Sequence, residues 1–207
     1  MSTPSLNEVI SRAIETRLLD VHTAMPGQIV SYNSSNQSCT VQLSIKKKYE
    51  DGTLINIPQI TNVPVVFPRA GKAFISMPLK AGDNVLVIFS ERAMDLFLNL
   101  GGIVDPKDPR KHHITDAIAI PGVYPFNNSI DASASALRIQ NDQSRIDLFA
   151  DGKFSIEKVG GDEFLDLVSQ ICDALTQSLT NTLLGPQPLL NAGTFASIKS
   201  KIDAIKG

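Results

Sequence analysis

The chain has 207 residues, of which 43% are hydrophobic and 19% are charged, and its formal net charge is −2 at pH 7. A chain of this length holds one or two domains, and its slightly acidic balance argues against a protein whose main task is to hold nucleic acid. No apolar run approaches the roughly twenty residues that cross a bilayer. We expect no signal peptide and a protein that folds in the cytosol.

The first predicted element is a short amphipathic helix within residues 1–24. Its apolar residues recur at helical spacing: Leu6, Val9, Ile10, Ala13, Ile14 and Leu18. A helix packed on its own domain and a helix that docks on a partner remain equally open.

Residues 25–122 change to the pattern of short strands broken by Gly and Pro. The alternation predicts strands at 28–32, 39–45, 63–67, 73–77 and 84–89, a hairpin arm at 46–57, a short helix at 90–97 and an extended return at 112–120. Five or six strands within about ninety residues predict a small closed barrel, for which the OB-fold is the commonest design.

Titratable groups cluster only at His112, His113 and Asp116. Catalysis would require a nucleophile or a metal beside them, and the neighbouring sequence offers neither Ser nor Cys. Adjacent residues of an extended segment point to opposite faces, which makes shared chelation of one ion difficult. We therefore predict no enzymatic activity, no catalytic residue, no metal and no cofactor. We expect one imidazole to pair with Asp116 or Asp95 and the other to face solvent.

Three other features are interpreted as structural. Cys39 and Cys172 are predicted to be free, buried thiols. The lysines at 46–48 are interpreted as a solvated hairpin tip, because only one aromatic residue, Tyr49, lies beside them. Asp147 and Asp151 are assigned to the surface of the strand segment that follows.

A linker is predicted over residues 123–136, and residues 137–160 then repeat a short alternating unit three times. The predicted inward side chains are Leu137, Ile139, Ile146, Leu148, Phe154 and Ile156. About six such side chains are too few to offset the entropy of ordering the segment in a single chain. We therefore predict an obligate oligomer in which several chains build a β-stalk, as in parallel β-helices and other stacked architectures.

Residues 161–207 are predicted to be helical. Asp162 can cap a helix that residues 185–188 terminate, and its apolar seam is Leu165, Val168, Cys172, Leu175 and Leu179. A second helix from Thr194 places Phe195, Ile198, Ile202 and Ile205 on one stripe. Because two heptads are marginal in isolation, these helices need the stalk, each other or another chain.

Several motifs within residues 26–124 together resemble the N-terminal OB-fold domain of central spike proteins from the baseplates of contractile-tailed bacteriophages. They are Val63–Pro68, Pro78 to the Gly82–Asp83 turn, Ser90-Glu91-Arg92, and residues 110–122 with His112, His113 and Asp116. The fold class predicted from the residues is mainly β with terminal helices. The resemblance implies an OB-fold barrel followed by a short intertwined trimeric stalk of β-helix or β-prism type, and the C-terminal helices depart from the family's pattern.

The resemblance also implies a homotrimer in the virion's tail baseplate, assembled in the host cytoplasm. Its function would be mechanical: to join the tail tube or hub to the tip and to help puncture the host outer membrane, which it would contact transiently. The chain lacks the family's His-x-His iron tip, so either a separate tip protein docks on the C-terminal region or the helices form a blunt cap.

Two other classes of function remain as alternatives. An OB-fold module that binds single-stranded nucleic acid is disfavoured by the acidic balance and the few aromatic residues. A cell-wall hydrolase is disfavoured because no catalytic constellation is visible.

Overall fold

A computed structural model describes residues 5–49, 51–130, 132 and 135–206. Contacts divide the chain into two units, Met1–Ser129 (unit 1) and Ile130–Gly207 (unit 2). Within the described ranges, no helix has the length and apolar character needed to span a membrane.

Unit 1 begins with helix α1, Leu6–Leu18, as the sequence predicts. Ser5 and Glu8 form a capping box, in which each side chain accepts a hydrogen bond from the other residue's backbone N–H. None of the residues of α1 is buried.

Nine strands and a second helix follow in unit 1. They are β1 (Ala24–Asn33), β2 (Ser38–Leu43), β3 (Lys47–Lys48), β4 (Leu54–Ile55), β5 (Ile60–Pro64), β6 (Arg69–Ala70), β7 (Ala73–Phe74), β8 (Asn84–Phe89), α2 (Asp95–Leu100) and β9 (Ala117–Pro121). Strands β3 and β4 pair as the predicted hairpin arm.

Five of these strands form one curled sheet in the order β5-β2-β1-β8-β9. Its two edges meet where Val65 forms a parallel bridge with Ala119, and the Val66 N–H donates to the Ala119 carbonyl at 2.9 Å. Val41, Val85 and Val87 point into the interior and are 0% exposed. The predicted small barrel is therefore present, in partly closed form.

Strand β1 pairs with β2 on one side and β8 on the other, and Gly27 pairs with Leu43 of β2 and Val85 of β8. A Cβ atom at Gly27 would lie 2.6 Å from Val41 Cγ1 and 3.0 Å from Val87 Cγ2. Only glycine fits there without moving two buried valines.

Some local predictions in unit 1 were wrong. The helix predicted over 90–97 begins only at Asp95, because the Ser90 and Met94 N–H groups donate to Asp116 instead. The extended return predicted from residue 112 becomes a strand only at Ala117, because His112 has φ 46° and the chain turns there. The strand predicted over 73–77 is limited to Ala73–Phe74.

The predicted linker contains a 3₁₀ turn at Phe126–Asn128, and its residues 131, 133 and 134 lie outside the described residues. Unit 2 then forms an antiparallel three-stranded sheet of β10 (Ala136–Gln140), β11 (Ser144–Phe149) and β12 (Phe154–Lys158). The Asn141 side chain closes the first turn by accepting from the Gln143 and Ser144 N–H groups at 2.8 and 2.7 Å. The three repeated units thus pair within one chain.

The rest of unit 2 contains α3 (Phe164–Gln177), β13 (Leu179–Thr182), β14 (Gly185–Pro188) and α4 (Ala192–Ile205). Helices α3 and α4 pack against each other. The N-cap of α3 is Glu163 rather than the predicted Asp162, and its carboxylate accepts from the Asp166 N–H at 2.7 Å.

The predicted helical seam is only partly correct. Leu165 and Cys172 are buried on α3, and Val168 and Leu175 are half-buried on the same helix. Leu179 instead belongs to β13 and is 62% exposed. Residues 185–188, which were predicted only to terminate the helix, form the second strand of a hairpin, since their prolines exclude helix but tolerate a strand edge.

Candidate functional site

The six residues predicted as a shared core all lie on one side of the β10–β12 sheet, here called the apolar face. The strand register sets them in two rows across the sheet. Leu137, Leu148 and Phe154 form one row, and Ile139, Ile146 and Ile156 form the other. Such cross-strand apolar rows are the units from which stable sheets are built.

The apolar face is uncovered in the single chain. Its exposed members are Leu137 (66%), Ile139 (56%), Leu148 (48%), Ile156 (41%) and Ile146 (39%), and Phe154 is half-buried. A contiguous group of large apolar side chains on a surface marks an interaction site far more often than a free surface. The exposure of these side chains marks the apolar face as a candidate interaction surface.

On the opposite face of the same sheet, charged side chains pair with one another. Arg138 donates two hydrogen bonds to Asp147, at 2.8 and 3.0 Å, and Arg145 forms ion pairs with both Asp147 and Glu157. Asp147 is 1% exposed, so its assignment to the surface of this segment was wrong. The hydrogen bonds from Arg138 lower the pKa of Asp147.

The outer edge of β12 is covered by its own chain. The Ile156 N–H donates to Glu163 Oε1 at 3.1 Å, and Phe154 and Glu157 form bridges with Lys206 and Glu163. An edge covered in this way cannot easily accept a further strand. Another chain would therefore approach the sheet through the apolar face rather than through this edge.

In unit 1, the strongest cluster of charges is centred on Arg110. Its guanidinium donates to Asp116 at 2.6 and 2.8 Å, to Asp108 at 2.8 Å and to Asp95 at 2.5 Å. Asp116 is 2% exposed, and the hydrogen bonds from Arg110 lower its pKa. The same bonds raise the pKa of Arg110 further above its usual range. The cluster ties α2 and the loop before β9 to the barrel.

The prediction that one histidine pairs with a carboxylate was wrong. His113 Nδ1 lies 2.7 Å from Thr115 Oγ1, and the half-buried His112 has no hydrogen-bond partner at Nδ1. Arg110 holds the carboxylates because its planar fork can contact several oxygens at once. Arg110 lies six residues before Asp116 in the sequence, a separation that a turn of the chain can close.

The remaining motif residues also have structural positions. Gly82 has φ 97°, and the turn of Gly82 and Asp83 exchanges backbone hydrogen bonds with Ile29 of β1 at 2.9 and 2.8 Å. Glu91 and Arg92 form an exposed ion pair at 3.2 Å. Both cysteines are free and buried, which confirms that prediction. No group of three or more potential metal-ligating side chains occurs among the described residues.

One groove of unit 1 could hold a ligand. It encloses about 670 Å³, and its lining includes Tyr32, Phe67, Phe74, Arg69 and Lys72. Aromatic rings beside basic side chains can stack on bases and contact phosphates.

Comparison with known families gives a match for unit 1. Residues 25–122 match the family described as the phage protein Gp138 N-terminal domain. The matched segment contains all nine strands of unit 1 from Met25 onward and none of unit 2. The match supports a structural phage virion protein. No curated protein matches the chain.

Proposed function

We propose that the chain is a non-enzymatic structural protein that forms the trimeric central spike or hub of a phage tail baseplate. In this role it joins the tail tube or hub to the tip and helps to puncture the host outer membrane when the tail contracts. The match of residues 25–122 to a phage domain supports a place in the virion. The uncovered apolar face of unit 2 is the observation that supports the proposed trimer.

We also infer that the barrel of unit 1 is an OB-fold, and its strand order supports this. Strands β1, β2 and β5 form a meander, β8 pairs back onto β1, and β9 lies between β8 and the parallel bridge to the segment after β5. A five-stranded, partly open Greek-key barrel has this character.

Three copies arranged around one axis would bury their apolar faces against each other as the walls of a prism. Each large aliphatic side chain contributes about 1.5–3 kcal/mol when it passes from full exposure to full burial, so these partly exposed residues would contribute roughly half of that each. With six such residues from each of three chains, burial of the apolar faces would stabilise the trimer. The covered β12 edge favours packing of faces over exchange of strands.

The native mass tests this proposal. Multi-angle light scattering on the full chain should give about three times the protomer mass of 22.4 kDa. Ile146→Asp should give the mass of one protomer, because three carboxylates would meet in an apolar core. Leu54→Asp is the control, since Leu54 is 57% exposed on β4 and lies outside the face. A wild-type monomer, or a trimeric Ile146→Asp variant, would overturn the proposal.

The groove of unit 1 favours a second candidate function, the binding of single-stranded nucleic acid. A labelled oligonucleotide at micromolar protein should then bind with an affinity that falls steeply as salt is added. Arg69→Ala together with Lys72→Ala should weaken that binding. No binding at low salt would exclude this function.

A further inference from the structure

The hairpin of β13 and β14 presents two leucines to solvent at its turn. Leu183 is 107% exposed and Leu184 is 91% exposed, and Leu190, just beyond β14, is 106% exposed. These are among the most exposed large apolar side chains of the chain. We call Leu183 and Leu184 the hairpin tip.

The turn that carries the tip is ordered by its own polar groups. Thr182 Oγ1 donates to the Gly185 carbonyl at 2.8 Å and accepts from the Leu184 N–H at 3.2 Å. Gly185 has φ 96°, a conformation that side-chain-bearing residues rarely adopt. Backbone groups that are hydrogen-bonded within the turn cost less free energy to remove from water than unpaired groups do. A segment that enters a lipid phase must have its backbone groups paired in this way.

The hairpin also carries no charge. No residue between Asp173 and Lys199 is ionisable as an acid or a base. The first charges on either side are paired, since Lys199 Nζ lies 3.7 Å from Asp173 and 2.7 Å from Asp203. Thus no ionised group would have to be desolvated if the tip left water.

We propose that the hairpin tip is a lipid-contacting element that inserts Leu183 and Leu184 into the boundary between the headgroups and the hydrocarbon of a bilayer. The arms behind the tip carry Thr180, Asn181 and Gln187, which are polar and uncharged and therefore suit the headgroup layer. A four-residue arm extends only about 13 Å, which is less than half of the roughly 30 Å hydrocarbon core. The contact is therefore a shallow anchor and does not span the bilayer.

This inference deepens the proposed function and rests on it in one respect: a trimer would present three tips and bind more tightly by avidity. Trimer formation and lipid binding are measured separately, so each can fail alone. The native mass reports the first, and vesicles report the second.

Flotation of the full chain with large unilamellar vesicles tests the inference. Wild-type protein should float with phosphatidylcholine vesicles and equally with vesicles that contain phosphatidylglycerol, and added salt should not release it because no charge takes part. Leu183→Ser with Leu184→Ser should reduce binding roughly tenfold or more. Ile103→Ser is the matched control. Ile103 in unit 1 is 106% exposed, and its substitution should leave vesicle binding unchanged.

A spectroscopic variant keeps the test independent of any loss of folding. The chain contains no tryptophan, so Leu183→Trp introduces a single reporter that retains the apolar character of the tip. Its emission should shift to the blue on addition of vesicles and be quenched by lipids brominated on the acyl chains, whereas Ile103→Trp should show neither change.

Three results would overturn the inference. The first is that wild-type protein binds neither kind of vesicle. The second is that Ile103→Ser weakens vesicle binding as much as the tip substitutions do. The third is that vesicles leave the emission of the Leu183→Trp variant unchanged. If vesicle binding is absent and the double serine variant fails to enter particles, the tip docks on another virion protein instead.

Discussion

The barrel of unit 1 and the β10–β12 sheet of unit 2 are built from strands with the same alternation of apolar and polar residues, yet they treat the apolar side differently. In the barrel, Val41, Val85 and Val87 are 0% exposed because the sheet curls until its edges meet. In unit 2, Ile146 and Leu148 remain 39% and 48% exposed. A sheet buries its apolar side against a second layer, and curling supplies that layer from the same chain in unit 1, whereas the three-stranded sheet of unit 2 leaves these side chains exposed.

The largest expected difference between the two units comes from placing an aspartate in the barrel interior or on the apolar face of unit 2. Val41→Asp should destabilise unit 1 by about 4 kcal/mol or more, because a carboxylate would be sealed in a dry interior. Ile146→Asp should leave the thermal unfolding of the barrel unchanged and abolish only the proposed trimer. Circular dichroism melts together with native mass separate the two effects. A barrel that melts early in the Ile146→Asp variant would contradict the independence of the two units.

The next largest effect is expected on the free energy of unfolding of unit 1 when the Arg110 cluster is disrupted. Arg110→Met should cost unit 1 about 3 kcal/mol at pH 7, because Asp116 would keep its buried charge without its partner. Arg92→Met is the control, since Arg92 forms only an exposed pair with Glu91. Denaturant titrations of the three proteins measure the difference.

The pH dependence of that effect follows from the lowered pKa of Asp116. A carboxyl whose folded pKa lies below its unfolded value of about 3.9 stabilises the fold above that pH, and this stability is lost as the pH falls through the folded pKa. The gap between wild type and Arg110→Met should therefore be widest near neutral pH and should narrow below about pH 4. A gap that widens in acid would contradict the assignment.

A smaller effect is expected at Glu163, which both caps α3 and covers the β12 edge. Glu163→Ala should destabilise unit 2 by about 1–2 kcal/mol and speed hydrogen exchange at the Ile156 amide. Asp162→Ala should change neither, although the sequence pointed to Asp162 as the cap. Equal effects of the two substitutions would show that the Glu163 contacts do not stabilise unit 2.

The smallest expected effect is a difference in the labelling rates of the two buried cysteines, one in each unit. Burial raises the pKa of the Cys39 thiol to about 11, so at pH 8 it stays protonated and unreactive until the barrel opens. Cys172 is buried on α3, in the helical part of unit 2, which should open more readily than the barrel. Single-cysteine variants, Cys39→Ala and Cys172→Ala, should show faster labelling of Cys172 by a disulfide reagent. Equal rates would mean that both units open together.

Much of the molecule could be read from local patterns. The period-two alternation located β1, β2, β8 and the three strands of the β10–β12 sheet, and the apolar spacing located α1, α3 and α4. The strand predicted over 63–67 lies instead at Ile60–Pro64. These patterns depend only on which side of a strand or helix a residue occupies, so a short stretch of sequence is enough to specify them.

The partners of the buried charges were decided only by the tertiary structure. Arg110 reaches Asp95 and Asp116, and Arg138 reaches Asp147, because turns bring distant residues together. Glu163 replaces Asp162 as the cap because the same carboxylate also reaches the β12 edge. The sequence by itself thus determined which faces are apolar. Which charges meet, and which apolar face stays uncovered, depended on the path of the turns and on barrel closure, which no local pattern encodes.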